Sequence, residues 1–320
     1  NTGVSRSFMK IRKRDSRSCL ILAIFDGVTV KFMLDRRRLI QGVLLSSAAL
    51  AIPALAADTV QLQLHRLEQV SGCTLGLCAI DTETGNEISY RGDERFAFCS
   101  TFKVLLVGAI LNLSQADAGL LARHITYSAD RLVVYSPVTE KHVDVGMSVS
   151  ELCAATLQYS DNTAGNLLLD LVGGPLGLTT FARNISDPIF RLDRNEPELN
   201  SALPGDIRDT TTPIAMVTTL QRLLLSEILP LSARQQLQNW LMGNTTGNTR
   251  IRAGVPLDWV VGDKTGSGDY GVANDVGIIW PPRKSPWILA VFTRGSAKDS
   301  PWRSETIATA TRIVVDAWKF

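Results

Sequence analysis

The sequence is poor in the residue types that build metal and redox centres. Its 320 residues include three histidines, His65, His124 and His142, and five cysteines, with no HExxH or CxxC motif. Protein zinc sites draw on closely spaced His and Cys pairs, so we expect neither a metal nor a cofactor. A Ser-His-Asp hydrolase also has little support, because histidines are few and no GxSxG motif is present.

Most of the chain has no large excess of positive or negative charge. Residues 1–57 carry ten Lys and Arg against three Asp, whereas residues 58–320 carry 23 basic and 28 acidic side chains. A mildly acidic body gives no electrostatic reason to expect nucleic-acid binding. The apolar fraction of 45% is typical of a globular protein with a sizeable core.

The basic N-terminal part is typical of an export signal. Residues 33–38 include one aspartate and three arginines and form a charged segment. Residues 39–55 are apolar and rich in alanine, and Ala54-Leu55-Ala56 offers a cleavage site. We predict a signal peptide over 33–57, cleavage near Ala56-Ala57 and a periplasmic or secreted protein. A membrane anchor and twin-arginine export are the alternatives.

Four cysteines remain after this leader, and export would permit disulfides. Cys73 and Cys78 lie five residues apart in a stretch that reads as a strand. Their side chains would point to opposite faces and cannot pair without a bulge. We therefore expect small buried apolar side chains rather than a disulfide framework.

Strand patterns lie at both ends of the chain and helical patterns lie between them. The predicted strands are Thr74–Ile80, Glu87–Tyr90, Trp259–Asp263, Asp275–Trp280 and Trp287–Thr293. The predicted helices cover 59–70, 103–112, 148–158, 163–172, 212–229, 232–242 and 304–320. Because neither end has enough strands to bury a face alone, the two ends must meet in one sheet, here interpreted as mixed.

This organisation divides the chain into parts. Residues 1–32, which precede the leader, are predicted to be an upstream non-native or unstructured segment. Residues 58–97 and 243–320 are predicted to form a discontinuous α/β domain. Residues 98–242 are predicted to form an all-α domain with a long Pro-containing loop at about 191–209.

One glycine motif is rejected. Gly266–Gly271 satisfies GxGxxG, but a dinucleotide site needs a strand before the motif and a helix after it. A strand pattern follows here, which predicts a hairpin.

Three short motifs, each weak alone, carry the chemistry. Ser100-Thr101-Phe102-Lys103 opens an apolar helix, Ser160-Asp161-Asn162 lies between two helices, and Lys264-Thr265-Gly266 ends a strand. A serine at a helix N-terminus lies near free backbone N–H groups, and a lysine three residues on is one turn away on the same face. A desolvated lysine near another cation can act as a base. The alternative is a capping serine with a lysine that extends to solvent.

These motifs resemble those of the active-site serine penicillin-recognising enzymes. Arg191–Asn200 and Asp206–Pro213 are similar to the omega loop of class A β-lactamases, and Arg91–Phe96 and Tyr135–His142 also resemble that family. The resemblance covers about residues 60–320. It implies an α/β (α+β) fold with an antiparallel five-stranded sheet flanked by helices, an inserted all-α domain, and an active site in the crevice between them.

The resemblance also implies an activity, the hydrolysis of penicillins and cephalosporins, which confers antibiotic resistance. Ser100 would be the nucleophile, activated with the help of Lys103. Ser160, linked to Lys264, would pass a proton to the leaving ring nitrogen. The backbone N–H groups of Ser100 and Ser267 would form the oxyanion hole.

The same resemblance assigns deacylation and substrate binding. Glu196, with Asn200, would hold the water that hydrolyses the acyl-enzyme. Arg250 would replace the carboxylate-binding arginine that some members carry where this sequence has Ala273. The residues expected to bind substrate are Tyr135, Asn162, Asn200, Thr265, Gly266, Ser267 and Arg250, and those expected to be structural are Asp161, Arg194 and Asp209. The implied partners are a β-lactam and a water; the implied protein is a monomer with no metal or nucleic acid.

Two departures from the family pattern concern cysteines. Cys153 matches half of a disulfide of some members, but its partner position is Val107, so that bridge is not expected. Cys99 precedes the nucleophile as in members with carbapenem activity, but their partner cysteine is Gly268 here. This removes the main sequence indication of a carbapenemase.

Two alternatives to a hydrolase are open. A cell-wall DD-peptidase or transpeptidase shares the three motifs but deacylates β-lactams poorly, and Glu196 in its loop argues against it. A cell-wall or β-lactam sensor would stay acylated, and it would need a membrane segment that does not follow the leader in this sequence.

Overall fold

The chain divides into two units, residues 1–59 and 60–320. The computed structural model describes residues 10–13, 18–25, 28–35 and 59–319. The predicted signal peptide lies outside these residues except at its first three positions.

The first unit contains a small antiparallel sheet of three strands in the order β1-β2-β3. These strands are Lys10–Lys13 (β1), Ser18–Phe25 (β2) and Val28–Asp35 (β3). The strands differ from the unstructured chain expected over 1–32. Both longer strands are rich in β-branched and aromatic residues, which favour extended backbone. That the segment is non-native stays a prediction.

The second unit begins within a helix over 59–71 (α1), of which all residues but the first belong to this unit. Its strands are Thr74–Asp81 (β4), Glu87–Tyr90 (β5), Phe96–Ala97 (β6), His124–Ile125 (β7), Met147–Ser148 (β8), Thr210–Thr211 (β9), Val260–Ser267 (β10), Ala273–Trp280 (β11) and Trp287–Arg294 (β12). Its further helices are Lys103–Leu113 (α2), Val149–Gln158 (α3), Asn162–Leu171 (α4), Gly174–Asn184 (α5), Pro213–Leu225 (α6), Leu231–Met242 (α7), Ile251–Gly254 (α8) and Ser304–Trp318 (α9). Within the described residues, no helix is both long and apolar enough to cross a membrane.

Five strands form the main sheet in the order β10-β11-β12-β4-β5. Every neighbouring pair is antiparallel, and β12 joins the C-terminal strands to β4 with Ala290 opposite Cys78. The antiparallel five-stranded sheet is thus confirmed, and the mixed sheet suggested by the strand patterns alone is wrong. Three of the four pairings are hairpins, whose tight turns permit only antiparallel strands.

The two faces of the sheet bury separate apolar cores. Leu75 and Leu77 of β4 pack with Leu64 of α1 and Val314 of α9. Cys78, one position along, points to the opposite face and packs among the helices of the chain's middle. Alternate residues of a strand point to opposite faces, so β4 contributes side chains to both cores. The helical middle therefore lies on one face, although the domain boundaries predicted at 97 and 242 stay a prediction.

Local sequence signals account for several helix ends. Ser148 accepts from the backbone N–H of Glu151, and Glu151 accepts from that of Ser148, which forms a capping box at the start of α3. Helix α5 is not among the predicted helices, because Gly173-Gly174-Pro175 interrupts the helical pattern. Gly173 has φ +86° and does end α4, while Pro175 lies in the first turn of the next helix.

Two further predictions are confirmed. Gly266–Gly271 joins β10 to β11 as a hairpin, with Ser267 opposite Ala273. The four cysteines of the second unit are free and buried: Cys73, Cys78, Cys99 and Cys153.

Candidate active site

Ser100 lies in a 3-10 helix, Cys99–Phe102, that leads directly into α2. Its hydroxyl donates to Glu196 Oε1 at 2.7 Å. Lys103 Nζ lies 3.0 Å from the same oxygen. One carboxylate oxygen therefore contacts both members of the SxxK motif.

Lys103 has no exposed surface, although it is a charged residue type. Its Nζ donates to Ser160 O at 2.8 Å and to Asn162 Oδ1 at 2.7 Å. Burial lowers the pKa of Lys103 below its ordinary value, because desolvation disfavours the cation, and the Glu196 carboxylate opposes the shift. The ammonium is thus tightly bound, as expected of a buried charge that has partners.

Ser160 connects the second motif to the third. It lies between α3 and α4 with φ +58°, an uncommon conformation for a non-glycine residue. Lys264 Nζ donates to Ser160 Oγ at 2.9 Å and to Thr265 O at 2.8 Å. Burial, and then the positive charge of Lys103, lower the pKa of Lys264 well below its ordinary value. Two buried lysines therefore converge on Ser160.

Asp161 and Asn162 fix the neighbouring loop. Asp161 accepts from the N–H of Ala164, capping α4, and from the N–H and hydroxyl of Thr139. The N–H of Asn162 donates to Tyr135 O at 3.0 Å. Tyr135 itself is exposed and has φ +66°. The second motif thereby positions an aromatic side chain at the edge of the site.

Glu196 is held from two directions. Asn166 donates to Glu196 O at 2.8 Å and accepts from Glu196 N at 3.0 Å. Asn200 Nδ2 donates to Glu196 Oε2. The carboxylate thus has one oxygen toward Ser100 and Lys103 and the other toward Asn200.

The loop that carries Glu196 is closed by an ion pair. Arg194 Nε lies 2.5 Å from Asp209 Oδ2, and the other oxygen of Asp209 accepts from the N–H groups of Asp193 and Arg194. Arg194 also donates to Ser201 Oγ at 2.9 Å. The pair joins Arg194, near the start of the loop, to Asp209 at its end.

Arg250 lies under the third motif. Its guanidinium donates to Gly266 O at 2.9 Å, Asn274 O at 2.6 Å, Ser267 Oγ at 2.7 Å and Ser304 Oγ at 3.2 Å. These bonds use four of the five N–H groups of a guanidinium and leave one on Nη2. Burial lowers the pKa of Arg250, but a guanidinium stays protonated across the physiological range.

These residues surround a cavity of about 300 Å³. Its lining consists of Ser100, Tyr135, Ser160, Asn162, Asn200, Thr246, Arg250, Thr265, Gly266, Ser267 and Trp302. Lys103, Glu196 and Lys264 are buried behind this lining. The three sequence motifs and the loop thus meet at one site, and a Cβ on Gly266 would lie 3.1 Å from Ser100 N.

A pair of buried carboxyl groups lies behind the third motif. Asp275 Oδ1 is buried without a hydrogen-bond partner, and the Asp263 carboxyl lies close enough to interact with that of Asp275. Asp263 also accepts from Arg252 and Asn244, and Asp275 accepts from Ile251 N at 3.0 Å. Burial and then the charge of Asp263 raise the pKa of Asp275 well above its ordinary value. One proton shared by the two groups fits this geometry.

Comparison with known proteins identifies the family. A model described as "Beta-lactamase enzyme family" matches residues 59–318. A solved variant of the class A β-lactamase of the last common ancestor of Gram-negative bacteria is 53% identical, with a TM-score of 0.79, covering 82% of this chain and 99% of its own. The chain belongs to the class A β-lactamases. It therefore hydrolyses the β-lactam ring and belongs to the enzymes of β-lactam resistance.

Two curated relatives are similar over most of their length. A β-lactamase of Proteus vulgaris is 54% identical over 257 residues, or 80% of this chain and 86% of its own. A "Carbapenem-hydrolyzing beta-lactamase KPC" of Klebsiella oxytoca is 52% identical over 252 residues, or 78% and 86%. These relatives favour a β-lactamase over the peptidase and sensor alternatives.

Sequence reasoning missed three residues of this β-lactamase site. Asn166 holds the main chain of Glu196, Thr246 Oγ1 lies 2.5 Å from Thr265 Oγ1, and Trp302 lines the cavity. None belongs to a short motif, and each reaches the site only through the fold.

Proposed function

We propose that this β-lactamase opens penicillins and cephalosporins through a covalent acyl-enzyme on Ser100. The observation that carries the proposal is the contact of Glu196 Oε1 with both Ser100 Oγ, at 2.7 Å, and Lys103 Nζ, at 3.0 Å. A serine hydroxyl is a weak nucleophile unless a neighbouring group accepts its proton. Glu196 accepts a hydrogen bond directly from the Ser100 hydroxyl, and Lys103 contacts the same carboxylate oxygen.

In acylation, Ser100 Oγ attacks the lactam carbonyl carbon while its proton passes to the Glu196 and Lys103 pair. The backbone N–H groups of Ser100 and Ser267 stabilise the resulting oxyanion; one such donor contributes about 3–4 kcal/mol in comparable enzymes. The C–N bond then breaks, and the ring nitrogen takes a proton from the Ser160 hydroxyl. Lys264, which donates to that hydroxyl at 2.9 Å, stabilises the charge that develops on Ser160. The proton held by the Glu196 and Lys103 pair then passes to Ser160, which restores both groups for deacylation.

In deacylation, Glu196 removes a proton from a water that attacks the ester carbonyl, and Ser100 leaves as the alcohol. Asn200 is suited to hold this water, because it contacts Glu196 Oε2 and lines the cavity. Asn166 and the Arg194–Asp209 pair keep the loop in the position that this step needs.

Substrate recognition follows from the lining of the cavity. Thr265, Ser267 and Arg250 form a polar edge suited to the carboxylate that penicillins and cephalosporins share. Asn162 and Tyr135 lie at the edge where the acylamide side chain would bind. Ser267 and the adjacent Gly268-Asp269 pair favour oxyimino-cephalosporins, which we propose as additional substrates.

Mass spectrometry of the Glu196→Gln variant with benzylpenicillin tests the mechanism. The variant should gain one drug mass on Ser100 and keep it for minutes or longer, since acylation retains Lys103 while deacylation loses its base. Ser100→Ala should gain no mass. Turnover of Glu196→Gln at the rate of the unmodified protein, without an adduct, would refute the proposed roles.

We further propose that the enzyme acts as an exported monomer after cleavage near Ala56-Ala57, with the α/β and all-α domains divided as the sequence predicts. The charged, apolar and small-residue segments of the leader support export. The mass of the protein recovered from the periplasm would test the cleavage site, and light scattering would test the oligomeric state.

A further inference from the structure

Trp302 combines exposure with a fixed position. Its side chain is 61% exposed, although it lines the catalytic cavity, and it stands immediately before α9. An indole ring buries a large apolar area when it is covered, so a ring left open at a ligand cavity is suited to contact a ligand.

The indole is anchored on the side away from solvent. Trp302 Nε1 donates to Gly268 O at 2.9 Å, on the turn that follows β10. The neighbouring residues also pack against the site: Pro301 O lies close to Gly271, and Ser304 Oγ accepts from Arg250 Nε at 3.2 Å. The ring is therefore already in place before a substrate binds, which reduces the entropy lost on contact.

The position of the ring selects one part of the substrate. Trp302 shares its side of the cavity with Arg250 and Ser267, where the proposed function puts the β-lactam carboxylate. In a cephalosporin, the ring carbon next to the one that bears the carboxylate carries a variable substituent, at C3. In a penicillin, the corresponding carbon carries two methyl groups. A flat group at C3 would thus lie next to the indole.

We propose that Trp302 is a specificity-determining residue, which stacks on flat aromatic substituents at C3 of cephalosporins and favours them over substrates without such a group. This inference rests on the proposed function, because that function orients the substrate carboxylate toward Arg250. Offset stacking of two aromatic rings increases affinity about three- to tenfold beyond the area that it buries.

Two cephalosporins provide a matched pair of probes. Nitrocefin and cephalothin share the thienylacetamido side chain and differ at C3, which carries a dinitrostyryl group in nitrocefin and an acetoxymethyl group in cephalothin. Trp302→Ala should raise KM for nitrocefin about fivefold, while KM for cephalothin and kcat for both change less than about twofold.

Two further variants separate stacking from a purely structural role. Trp302→Phe keeps a ring but lacks the N–H, and it should retain most of the preference for nitrocefin. Trp302→Gln keeps an N–H donor for Gly268 O but lacks the ring, and it should behave like Trp302→Ala. The opposite pattern, or equal losses on both substrates, would overturn the proposal and leave Trp302 as a support for the β10–β11 turn. A failure of the proposed function is visible separately, as hydrolysis of both substrates by Ser100→Ala.

Discussion

Asn166 holds the main chain of Glu196 on both sides, donating to its carbonyl oxygen at 2.8 Å and accepting from its N–H at 3.0 Å. Asn166 lies on α4, which starts at the second catalytic motif, whereas Glu196 lies in the loop. The amide therefore links the position of the deacylating carboxylate to the helix that Asp161 caps.

The first prediction concerns this link. Asn166→Ala should slow deacylation by on the order of tenfold to a hundredfold and acylation much less, because small displacements of a catalytic base have effects of this size. Stopped-flow hydrolysis of nitrocefin should then show an initial burst. Asn195→Ala, in the exposed residue just before Glu196, is the control and should show none. Equal slowing of both steps would argue against a specific role.

The second prediction concerns the carboxylate site. Arg250→Ala should lower kcat/KM for penicillins and cephalosporins by about tenfold or more, as expected for loss of a charge-assisted hydrogen bond. Arg303→Ala, at the exposed residue between Trp302 and Ser304, is the comparison and should have little effect. If Arg303→Ala lowers kcat/KM and Arg250→Ala does not, the assignment of Arg250 as the carboxylate-binding residue is wrong.

The third prediction concerns the pH dependence of catalysis. Burial and the Lys103 charge lower the pKa of Lys264, so its proton leaves at a lower pH than from a free lysine. The alkaline limb of kcat/KM should therefore fall well below the ordinary lysine pKa of about 10.4. Lys264→Arg should lower the plateau but move this limb upward, since a guanidinium keeps its proton.

The exposed Lys298 offers a control for that experiment. Its side chain is 73% exposed and pairs loosely with Asp269, so Lys298→Arg should leave the pH profile unchanged. An alkaline limb at the same pH in the Lys264→Arg variant and the parent would assign the limb to another group.

The fourth prediction concerns stability and the buried Asp263–Asp275 pair. The folded state raises the pKa of Asp275, so it holds a proton that the unfolded chain releases at about pH 4. The parent therefore loses stability as pH rises from the unfolded pKa toward the folded one. Asp275→Asn cannot ionise, so its free energy of unfolding relative to the parent should increase over that window.

Urea unfolding at pH 4, 6 and 8 would measure this change. Asp206 provides a contrast of opposite sign, because hydrogen bonds from Arg208 lower its pKa to about 2. Asp206→Asn should lose a little stability relative to the parent as pH rises from about 2 to the unfolded pKa of about 4, so its difference from the parent should stay nearly constant between pH 4 and pH 8. A pH-independent difference for Asp275→Asn would mean that the pair does not share a proton.

The sequence predicted most elements because their patterns are local. Asp81–Asn86 marks a hairpin turn, and the predicted strands on either side match β4 and β5 within a residue. The strand pattern stopped at Asp263, whereas β10 continues to Ser267 and includes the whole Lys264-Thr265-Gly266 motif. Lys264 is buried in this strand because it donates to Ser160 Oγ and Thr265 O, and the first of these partners comes from a distant segment.

The site was predictable where motifs carry it and not elsewhere. The meeting of Ser100, Lys103 and Ser160 could be predicted, because each belongs to a short motif and the arrangement of these motifs is specific to the family. Asn166 and Trp302 could not be predicted, since an asparagine inside a helix and a tryptophan in a loop acquire their partners only when distant segments pack together.

The pairing of β4 with β12 has a consequence for how the enzyme is made. Thr74 lies opposite Arg294, so the sheet is completed only by residues more than 200 positions further along the chain. Closing so long a segment is entropically unfavourable and is slow compared with the formation of local helices. A nascent chain still lacking β12 leaves the β12-facing edge of β4 unpaired, and β10, which carries Lys264, is not yet joined to β4 through β11 and β12. We therefore expect the catalytic centre to assemble only after β12 has been synthesised, and a chain that stops before β12 should be inactive and prone to aggregation.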